Sequence, residues 1–354
     1  VSHMKKFAVF SGFLGSGKTT TMMALTRFFS AHHGKAAMIS NDLGQQSLAD
    51  HKLAALSGCN ASELTGSCIC YITETLVERL DSLFDKEGCE LVISDIPGFG
   101  VGALDHVYHT LQRDYPGRYE LAPFTVLTEP QVLAQLRAGN SDIHYILHTQ
   151  LVEADLIVLN KCDLLTREEI QQECRWLETH YPQARVIPIS ALTGAGLEDL
   201  SQAMIRQSAS MHRPDIGYGG EAFGRAMGRI SEYYIQYHAT VCCNDFDGNA
   251  YLMDLAQTVQ REVAAIGQDI PHLKLLAWTA EGDYGKVDML GVGRDIAVTK
   301  TFTAPCTELA VMLNCSAVCP SGEVQAILSG AVESLCEPYN LSYLVFKEEC
   351  FGMR

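Results

Sequence analysis

The sequence predicts an α/β fold, in which a mainly parallel sheet with helices on both faces is followed by a smaller α+β domain. Three observations support this prediction. Short, continuous apolar runs recur along the first part of the chain, helical stretches separate most of them, and a glycine-rich turn directly follows the first run. Strands buried on both faces, as in a parallel sheet, have this unbroken apolar character. A chain of 354 residues is long enough for two domains with separate cores.

The first domain is predicted to span residues 4–211. Its strands are expected at Phe7–Phe10, Ala36–Ile39, Leu91–Ser94, Phe124–Leu127, Leu156–Leu159 and Arg185–Ile189. Its helices include Lys18–Ala31, Ile72–Phe84, Pro130–Ala138 and Arg167–Thr179. Strands that alternate with helices in this way form a sheet of parallel strands covered by the helices. The segment 212–228, which has five glycines and one proline, is the predicted linker.

The second domain, residues 229–354, has a different order of elements. A strand at Ile230–Val241 is followed by a helix at Ala250–Ile266 and by strands at Leu273–Val292 and Ala297–Cys315. We expect a turn at Gly282 within the first of these two stretches. A helix at Gly322–Leu335 and a strand at Ser342–Phe346 complete the domain. The order βαββαβ is typical of the ferredoxin-like arrangement.

Composition and charge exclude several classes of partner. The formal net charge of −16 argues against non-specific nucleic-acid binding and against a polybasic membrane patch. We find no apolar run of the roughly 20 residues that a transmembrane helix needs. The 13 cysteines are scattered through predicted strands and helices, which indicates reduced thiols and a cytoplasmic protein.

A phosphate-binding loop is predicted at residues 12–19. The sequence Gly-Phe-Leu-Gly-Ser-Gly-Lys-Thr matches G-x-x-x-x-G-K-[ST] between a strand and a helix, the context that this pattern requires. Backbone N–H groups there converge on a phosphate, and the helix dipole favours an anion. We expect Lys18 to act catalytically on the β- and γ-phosphates and Thr19 to hold Mg²⁺. The expected nucleotide contacts in this segment are Gly12, Gly15, Ser16, Gly17, Lys18, Thr19 and Thr20. The first domain is therefore predicted to be a P-loop NTPase domain.

A second phosphate-side motif follows the strand at Leu91–Ser94. The sequence Asp95-Ile96-Pro97-Gly98 has the form D-x-x-G. Asp95 is expected at the carboxyl end of its strand, where it faces the phosphates and holds the magnesium shell as a catalytic residue. Gly98 would let a backbone N–H approach the γ-phosphate.

A base-recognition motif, Asn160-Lys161-Cys162-Asp163, follows the strand at Leu156–Leu159. The Asp163 carboxylate can accept hydrogen bonds from the ring N–H and the exocyclic amine of guanine, and adenine cannot offer this pair. Loss of such buried hydrogen bonds makes discrimination large. Asn160 is expected to brace the loop, and the segment Ser190-Ala191-Leu192 to contact the guanine oxygen through its backbone. The motifs predict binding of GTP and GDP rather than of ATP.

These residues resemble one family, the metallochaperone GTPases that include CobW-like cobalamin-synthesis proteins and the HypB and UreG nickel-insertion GTPases. The resemblance covers about residues 1–200. Its motifs are the segment 12–20, Asn41-Asp42-Leu43-Gly44 with Asp50, Glu63-Leu64 before Cys68-Ile69-Cys70, Asp95-Ile96-Pro97-Gly98 and Ala154–Leu164. The CobW-like branch fits best, since it joins such a GTPase to a smaller C-terminal domain. The resemblance implies that residues 41–50 form a switch segment, with Asp50 or Asp42 near magnesium or the attacking water.

The resemblance also implies that Cys68 and Cys70 bind a transition metal. Two thiolates at i and i+2 can bind Zn²⁺, Co²⁺ or Cu(I). They do not complete a tetrahedral site, so Glu63, a histidine, water or a second protomer must add ligands; incidental buried thiols are the alternative interpretation. The family usually has C-x-C-C, and here the third position is Tyr71. The family also commonly has Glu where this chain has Asp95, and the histidine-rich stretch of many CobW-like members is absent.

Three functions are compatible with these features. The first is a slow GTPase that couples hydrolysis of Mg²⁺-bound GTP to delivery of a metal, or of a metal-containing corrinoid, to a client enzyme. A second is a regulatory GTPase that gates assembly or reactivation of a corrinoid protein or metalloenzyme without carrying metal. A third is a GTP-switched protein-interaction module. A homodimer is a further expectation. Asp105, His106 and His109, at helical spacing after Asp95, are interpreted as a solvated helix face, with a ligand role near the phosphates as the alternative.

Overall fold

The computed structural model describes residues 5–43, 49–139, 143–242 and 244–353, and the side chains of residues 49 and 50 lie outside this description. The chain divides into two compact units, one ending at Phe223 and the other beginning at Gly224. This division falls within the segment 212–228. No helix in the described parts of the chain is both long and apolar enough to cross a lipid bilayer.

The first unit is built on a parallel sheet. Its strands are β1 (Lys6–Ser11), β2 (Ala36–Asn41), β3 (Ala61–Leu64), β4 (Leu91–Asp95), β5 (Glu120–Leu121), β6 (Thr125–Thr128), β7 (Leu156–Leu159) and β8 (Arg185–Pro188). Their order is β3-β2-β4-β1-β6-β7-β8, and β5 also pairs with β1. Every pair is parallel, which confirms the predicted sheet. The sequence analysis missed β3 because its four residues alternate between buried and half-buried instead of forming an apolar run.

Helices connect these strands. They are α1 (Lys18–His32), α2 (Ala49–Leu56), α3 (Thr73–Asp81), α4 (Thr110–Asp114), α5 (Pro130–Ala138), α6 (His144–Glu153) and α7 (Arg167–His180). After β8 come α8 (Leu197–Arg206) and α9 (Glu221–Met227), and α9 crosses the division between the two units. A π-helical turn, Ser82–Lys86, follows α3, and another, Leu104–His109, precedes α4. Every residue of β1, β2, β4, β6 and β7 is buried, as expected for strands covered on both faces.

The parallel arrangement determines where a ligand can bind. All carboxyl ends of the strands meet at one edge of the sheet, and binding crevices of open α/β sheets lie outside that edge. The loops after β1, β4 and β7 carry three of the sequence motifs, and they emerge there. A fourth loop, between β3 and α3, carries Cys68 and Cys70 at the same edge.

The second unit has an antiparallel sheet. Its strands are β9 (Ile230–Val241), β10 (Asp269–Trp278), β11 (Tyr284–Met289), β12 (Ala297–Lys300), β13 (Glu308–Val318) and β14 (Leu341–Gly352), and its helices are α10 (Gly248–Ala265) and α11 (Ser321–Ser334). The strand order is β12-β11-β10-β13-β9-β14. The βαββαβ path through β9, α10, β10, β13, α11 and β14 is the predicted ferredoxin-like domain, which β11 and β12 extend on one side.

One of the strands predicted for this unit consists of two separate strands in the structure. The stretch Ala297–Cys315 contains β12, an irregular segment at residues 301–307 and then β13. Pro305 lies in the irregular segment and has no N–H for a ladder hydrogen bond, so a continuous strand is interrupted there. The hairpin of β10 and β11 turns at Gly282, whose N–H donates to the carbonyl oxygen of Thr279, as predicted. The core packs Tyr233 and Tyr237 of β9 against the strands and helices of this unit.

Candidate nucleotide and metal site

The loop between β1 and α1 forms a narrow cradle. Gly12 has a φ of +132°, and a Cβ there would lie 2.2 Å from the carbonyl oxygen of Leu127, so only glycine fits. Gly17 caps α1 in the left-handed conformation. Lys18 turns back across the loop, and its Nζ donates to the carbonyl oxygen of Gly12 at 2.6 Å. The lysine ammonium group therefore lies over the cradle.

The polar side chains of this loop fit a phosphate ligand. The hydroxyl of Ser16 is buried and has no hydrogen-bond partner within the described residues. Thr19 and Thr20 are half-buried in the first turn of α1, and Gly15 has a left-handed φ of 80°. A buried hydroxyl without a partner is costly unless a ligand or water satisfies it. The loop can therefore accept phosphate oxygens.

Asp95 ends β4 beside this cradle. Residue Phe10 of β1 is its register partner, and its Oδ1 accepts a hydrogen bond of 2.8 Å from the backbone N–H of Asn41. Three residues later, a Cβ on Gly98 would lie 2.5 Å from Cδ2 of Leu14. The D-x-x-G segment thus lies directly against the phosphate-binding loop, and a larger residue at position 98 would force them apart.

The base-recognition motif is braced against the same loop. Asn160 is buried; its Nδ2 donates to the carbonyl oxygen of Ser16 at 3.0 Å, and its Oδ1 accepts from the N–H of Ala191 at 3.0 Å. The Asp163 carboxylate accepts from the hydroxyl of Ser190 at 2.6 Å. One side chain, that of Asn160, therefore joins three segments that are far apart in the sequence.

Other predicted residues of this motif take different positions. The Nζ of Lys161 lies 4.0 Å from the carboxylate of Glu129, the residue whose side chain caps α5. The N–H of Ala191, expected to face the guanine oxygen, instead donates to Asn160. The side chain of Leu192, the last residue of the predicted segment 190–192, is exposed to solvent.

Asn41, at the carboxyl end of β2, has a role that the sequence analysis did not assign. Its side chain is buried; Nδ2 donates to the carbonyl oxygens of Leu64 at 3.1 Å and Ser67 at 2.8 Å, and Oδ1 accepts from the N–H of Ile69 at 2.9 Å. Its backbone N–H is the donor to Asp95 described above. The sequence placed Asn41 in a switch segment, but only the fold shows that it touches both neighbouring loops.

Cys68 and Cys70 lie side by side, with their Sγ atoms 3.0 Å apart. The hydrogen bond between the two thiols lowers the pKa of Cys68, although burial and the charge of Asp95 oppose this shift. The same hydrogen bond, together with burial, raises the pKa of Cys70 well above its usual value. The two sulfurs are thus close enough to contact one thiophilic cation, which binds thiolates and displaces their protons.

Further ligands for a metal are not assembled in the described parts of the chain. No group of three or more His, Cys, Asp or Glu side chains is placed there to hold a metal ion. Glu63 lies 3.6 Å from Nδ1 of His51. The Asp42 carboxylate accepts from the N–H of Leu43 at 2.7 Å. The side chain of Asp50 and residues 44–48 of the predicted switch segment are outside the described residues.

Tyr71, at the third position of the C-x-C motif, contacts an aromatic cluster. Its hydroxyl is hydrogen-bonded to that of Tyr218, and the His106 ring lies 5.9 Å from the Tyr71 ring and 4.7 Å from the Tyr218 ring. Tyr71, which stands in place of the third cysteine, therefore connects the loop of Cys68 and Cys70 to the segment before α9. We call this loop, between β3 and α3, the thiol loop.

The predicted solvated face at Asp105, His106 and His109 is wrong for His109. This side chain is buried, with Nε2 3.1 Å from the carbonyl oxygen of His212, and it accepts from the guanidinium group of Arg213 at 3.3 Å. A chain segment more than a hundred residues away covers it, which helical spacing could not reveal.

Gln150 and Glu153 of α6 hold the loop after Asp95. The Nε2 of Gln150 donates to the carbonyl oxygens of Gly98 at 3.0 Å and Gly100 at 2.9 Å. The Glu153 carboxylate accepts from the N–H groups of Gly102 at 2.8 Å and Leu104 at 3.2 Å. Burial raises the pKa of Glu153 to about 7, against the effect of these hydrogen bonds. No local motif marks either residue, so the sequence analysis missed both.

The chain is similar in sequence to known proteins. The family model described as "CobW/HypB/UreG, nucleotide-binding domain" matches residues 6–188. The zinc chaperone YeiR of Escherichia coli is 27% identical over 175 residues, which is 49% of this chain and 51% of that protein. The zinc-regulated GTPase metalloprotein activator 1 of Dictyostelium discoideum is 26% identical over 266 residues, which is 61% of this chain and 55% of that protein. The chain spans about half the length of the curated relatives that it matches.

Solved structures are more distant. The Zn(II)-bound YjiA GTPase of E. coli is 15% identical with a TM-score of 0.36, and the match covers 94% of this chain and 99% of that one. HypB of Helicobacter pylori in complex with nickel is 19% identical with a TM-score of 0.41, covering 60% and 92%. On the family match over residues 6–188, the chain belongs to the CobW/HypB/UreG family.

Proposed function

We propose that this protein is a GTPase that couples binding and hydrolysis of Mg²⁺-bound GTP to the delivery of a transition metal ion to a client protein. The observation that carries the proposal is the contact between two sites. The carboxylate that ends β4, Asp95, and the loop of Cys68 and Cys70 are both hydrogen-bonded to Asn41. A change at the phosphates can therefore reach the thiols through directly bonded groups.

In this proposal the cradle at Gly12–Thr19 holds the phosphates. Its backbone N–H groups and the ammonium group of Lys18 face the β- and γ-phosphoryl oxygens. The hydroxyl of Thr19 and the carboxylate of Asp95 are the hard oxygen ligands that Mg²⁺ prefers. When bound, Mg²⁺ neutralises charge on the phosphoryl oxygens. The backbone N–H of Gly98 would contact the γ-phosphate, since Gly98 packs on Leu14 of the cradle.

Guanine would be recognised by Asp163, whose carboxylate then exchanges its bond to Ser190 for the two donors of the base. Once the base covers it, this carboxylate discriminates strongly, because an adenine ring would leave it without those donors. Asn160 holds the base loop on the cradle, so the base and phosphate subsites keep a constant separation.

For hydrolysis, an acidic residue of the switch segment, Asp42 or Asp50, would orient the attacking water, and Lys18 would stabilise charge on the transferring group. No glutamine of the water-orienting kind follows the D-x-x-G motif. We therefore expect slow turnover that a partner accelerates.

The cargo that we favour is Zn²⁺, ahead of Co²⁺ or a corrinoid. Two named relatives are a zinc chaperone and a zinc-regulated GTPase, and thiolates are good zinc ligands. Cys68 and Cys70 supply two of the four usual ligands. The remainder would come from Glu63 after a switch movement, from water, from a second copy or from the client. The twelve described cysteines are all free, which supports a reducing compartment such as the cytoplasm.

Zinc binding by competition with a chromogenic chelator tests the proposal. We expect one Zn²⁺ per chain, and a loss of at least about tenfold in affinity for the Cys68→Ser, Cys70→Ser double variant. Cys174→Ser, which removes a half-buried free thiol on α7, is the matched control and should bind as the unmodified protein does. Because zinc binding displaces thiol protons, affinity should rise with pH near neutrality. Equal binding by the double variant would exclude these thiols as the zinc site.

A second function is favoured by one observation. The thiol loop has Tyr71 where the family usually has a third cysteine, and a GTPase that gates a metalloenzyme without carrying metal would not need that ligand. Absence of stoichiometric Zn²⁺ in both the GDP and the GTP-analogue states, with intact GTP hydrolysis, would select this function.

A further inference from the structure

Asn41 is hydrogen-bonded to the thiol loop through its side chain, and its own backbone N–H is bonded to Asp95. It is 4% exposed. Both donor hydrogens of its amide and its acceptor oxygen are used, on Ser67, Leu64 and Ile69. A buried amide with all of these groups satisfied has one stable orientation, because any rotation leaves buried polar groups unpaired.

The three contacts fix the first residues of the thiol loop, from the end of β3 to Ile69. Ile69 lies between Cys68 and Cys70 in the sequence, so the N–H that Asn41 Oδ1 accepts belongs to the residue that separates the two sulfurs. Ser67 precedes Cys68 directly. The relative position of the sulfurs is therefore tied to the position of the Asn41 side chain.

The other side of Asn41 faces the nucleotide. Its N–H donates to Oδ1 of Asp95, the carboxylate that we place in the magnesium shell. A carboxylate that turns toward a cation would lengthen or realign this bond, and the end of β2 would then move with it. Coupling between sites is carried by such directly bonded groups when they have two arrangements.

We propose that Asn41 is the positioning residue that transmits the nucleotide state from Asp95 to the Cys68–Cys70 pair, and so sets how tightly the pair binds zinc in the GTP and GDP states. This inference rests on the proposed function. Asn41 itself touches neither zinc nor nucleotide in this mechanism; it acts through Asp95 on one side and through Ile69 and Ser67 on the other.

A second route between the sites is longer. Gln150 and Glu153 hold the loop after Asp95, a Cβ on Gly102 of that loop would lie 2.9 Å from the Tyr218 ring, and Tyr218 contacts Tyr71 beside Cys70. It passes through two partly exposed tyrosines, whereas the route through Asn41 needs one buried residue. We therefore assign the coupling to Asn41.

The experiment measures Zn²⁺ affinity by chelator competition, once with Mg²⁺-GDP and once with Mg²⁺ and a non-hydrolysable GTP analogue. The ratio of the two affinities is the coupling, which is typically about 5- to 150-fold between linked sites. For Asn41→Ala we expect this ratio to fall to within about twofold of one, with GDP affinity changed less than about threefold. By reciprocity, the effect of Zn²⁺ on affinity for the GTP analogue should disappear to the same extent.

Ser40→Ala is the matched control. Ser40 precedes Asn41 in β2, is buried, and donates to the carbonyl oxygen of Ser62 at 3.3 Å. Its loss removes a buried hydrogen bond next to Asn41, and the coupling ratio should stay at the value of the unmodified protein. Should Asn41→Ala fail to fold, Asn41→Asp replaces it, since Asp has nearly the same shape and keeps the acceptor for Ile69 while losing both donated hydrogen bonds.

The possible outcomes distinguish failure of the proposed function from failure of the role of Asn41 alone. If the unmodified protein binds zinc equally in both nucleotide states, the proposed coupled delivery is wrong and this inference with it. If the unmodified protein shows the coupling and Asn41→Ala or Asn41→Asp retains it, only the role of Asn41 is wrong. Loss of coupling in Asn41→Ala together with its retention in Ser40→Ala supports the inference.

Discussion

The nucleotide cradle and the thiol loop lie at the same edge of one sheet, but they are built differently. The cradle is held by several buried contacts: Gly12 against Leu127, Gly98 against Leu14, and Asn160 bonded to Ser16. The thiol loop is bonded to the end of β2 through Asn41 and to the segment before α9 through the exposed Tyr71, and it offers two sulfurs for a metal that prefers four ligands.

This difference indicates that the cradle is built for constant binding and the thiol loop for adjustable binding. A cradle with many independent supports is preformed and binds its ligand with little rearrangement. A loop with few side-chain hydrogen bonds to its neighbours and an incomplete ligand set can change its affinity when one of those contacts moves, or when a partner adds ligands. Sites that must release their cargo benefit from the second design, because a small displacement is enough to lose a ligand.

The largest expected effect concerns the cradle. Lys18→Ala removes the ammonium group that lies over Gly12, and we expect GTP hydrolysis to fall by about 100-fold or more, as is usual when charge stabilisation of the transition state is lost. Release of phosphate under single-turnover conditions measures this. Zn²⁺ binding in the absence of nucleotide should persist, since the thiol pair is intact; loss of both activities together would mean that the two regions are not separable.

A smaller effect is expected at the base subsite. Asp163→Asn replaces a carboxylate acceptor with an amide that can donate, and GTP affinity should fall by about 100-fold because buried donors of guanine lose their partner. Xanthosine triphosphate, which has a carbonyl where guanine has the amine, should gain affinity. Titration calorimetry with both nucleotides gives the comparison. Unchanged preference for GTP would show that Asp163 does not recognise the base.

The smallest effect concerns the loop after Asp95, in which the N–H groups of Gly102 and Leu104 donate to the Glu153 carboxylate. Its pKa of about 7 in the folded protein is above the ordinary glutamate pKa of 4.5, so the folded state binds the proton more tightly. The stability from this protonated side chain is fully present below pH 4.5 and is lost as pH rises through 7, by about 2 kcal/mol between pH 5 and pH 7.

Glu153→Gln removes this titration. The difference in unfolding free energy between the variant and the unmodified protein, measured by urea titration at several pH values, should change in favour of the variant as pH rises across that range. Ile146→Val, which shortens a buried side chain on the same helix, is the control and should shift stability equally at each pH. A difference for Glu153→Gln that is constant with pH would show that this carboxyl group does not titrate in the folded state near neutrality.

Local patterns predicted the cradle, the D-x-x-G loop and the base loop, because each combines a special residue sequence with a strand on one side. Glycine at positions 12 and 98 is required by contacts within a few ångströms, and the motif records those requirements directly. The apolar runs predicted most strands for a similar reason, since burial on both faces leaves no polar position.

Contacts between distant segments could not be predicted in this way. Asn41 is one polar residue at a strand end, and its sequence does not show that loops 26 and 54 residues later will meet it. Glu153 and His109 have the periodicity of ordinary helix residues, but one accepts hydrogen bonds from a loop about fifty residues earlier and the other is covered by a segment about a hundred residues later. The sequence by itself determined the nucleotide-binding motifs, because the residues of each motif are contiguous in the chain. Only the tertiary structure decided how the nucleotide and thiol sites are joined, because the order of strands in the sheet, and not their order in the chain, brings the ends of β2, β3 and β4 together.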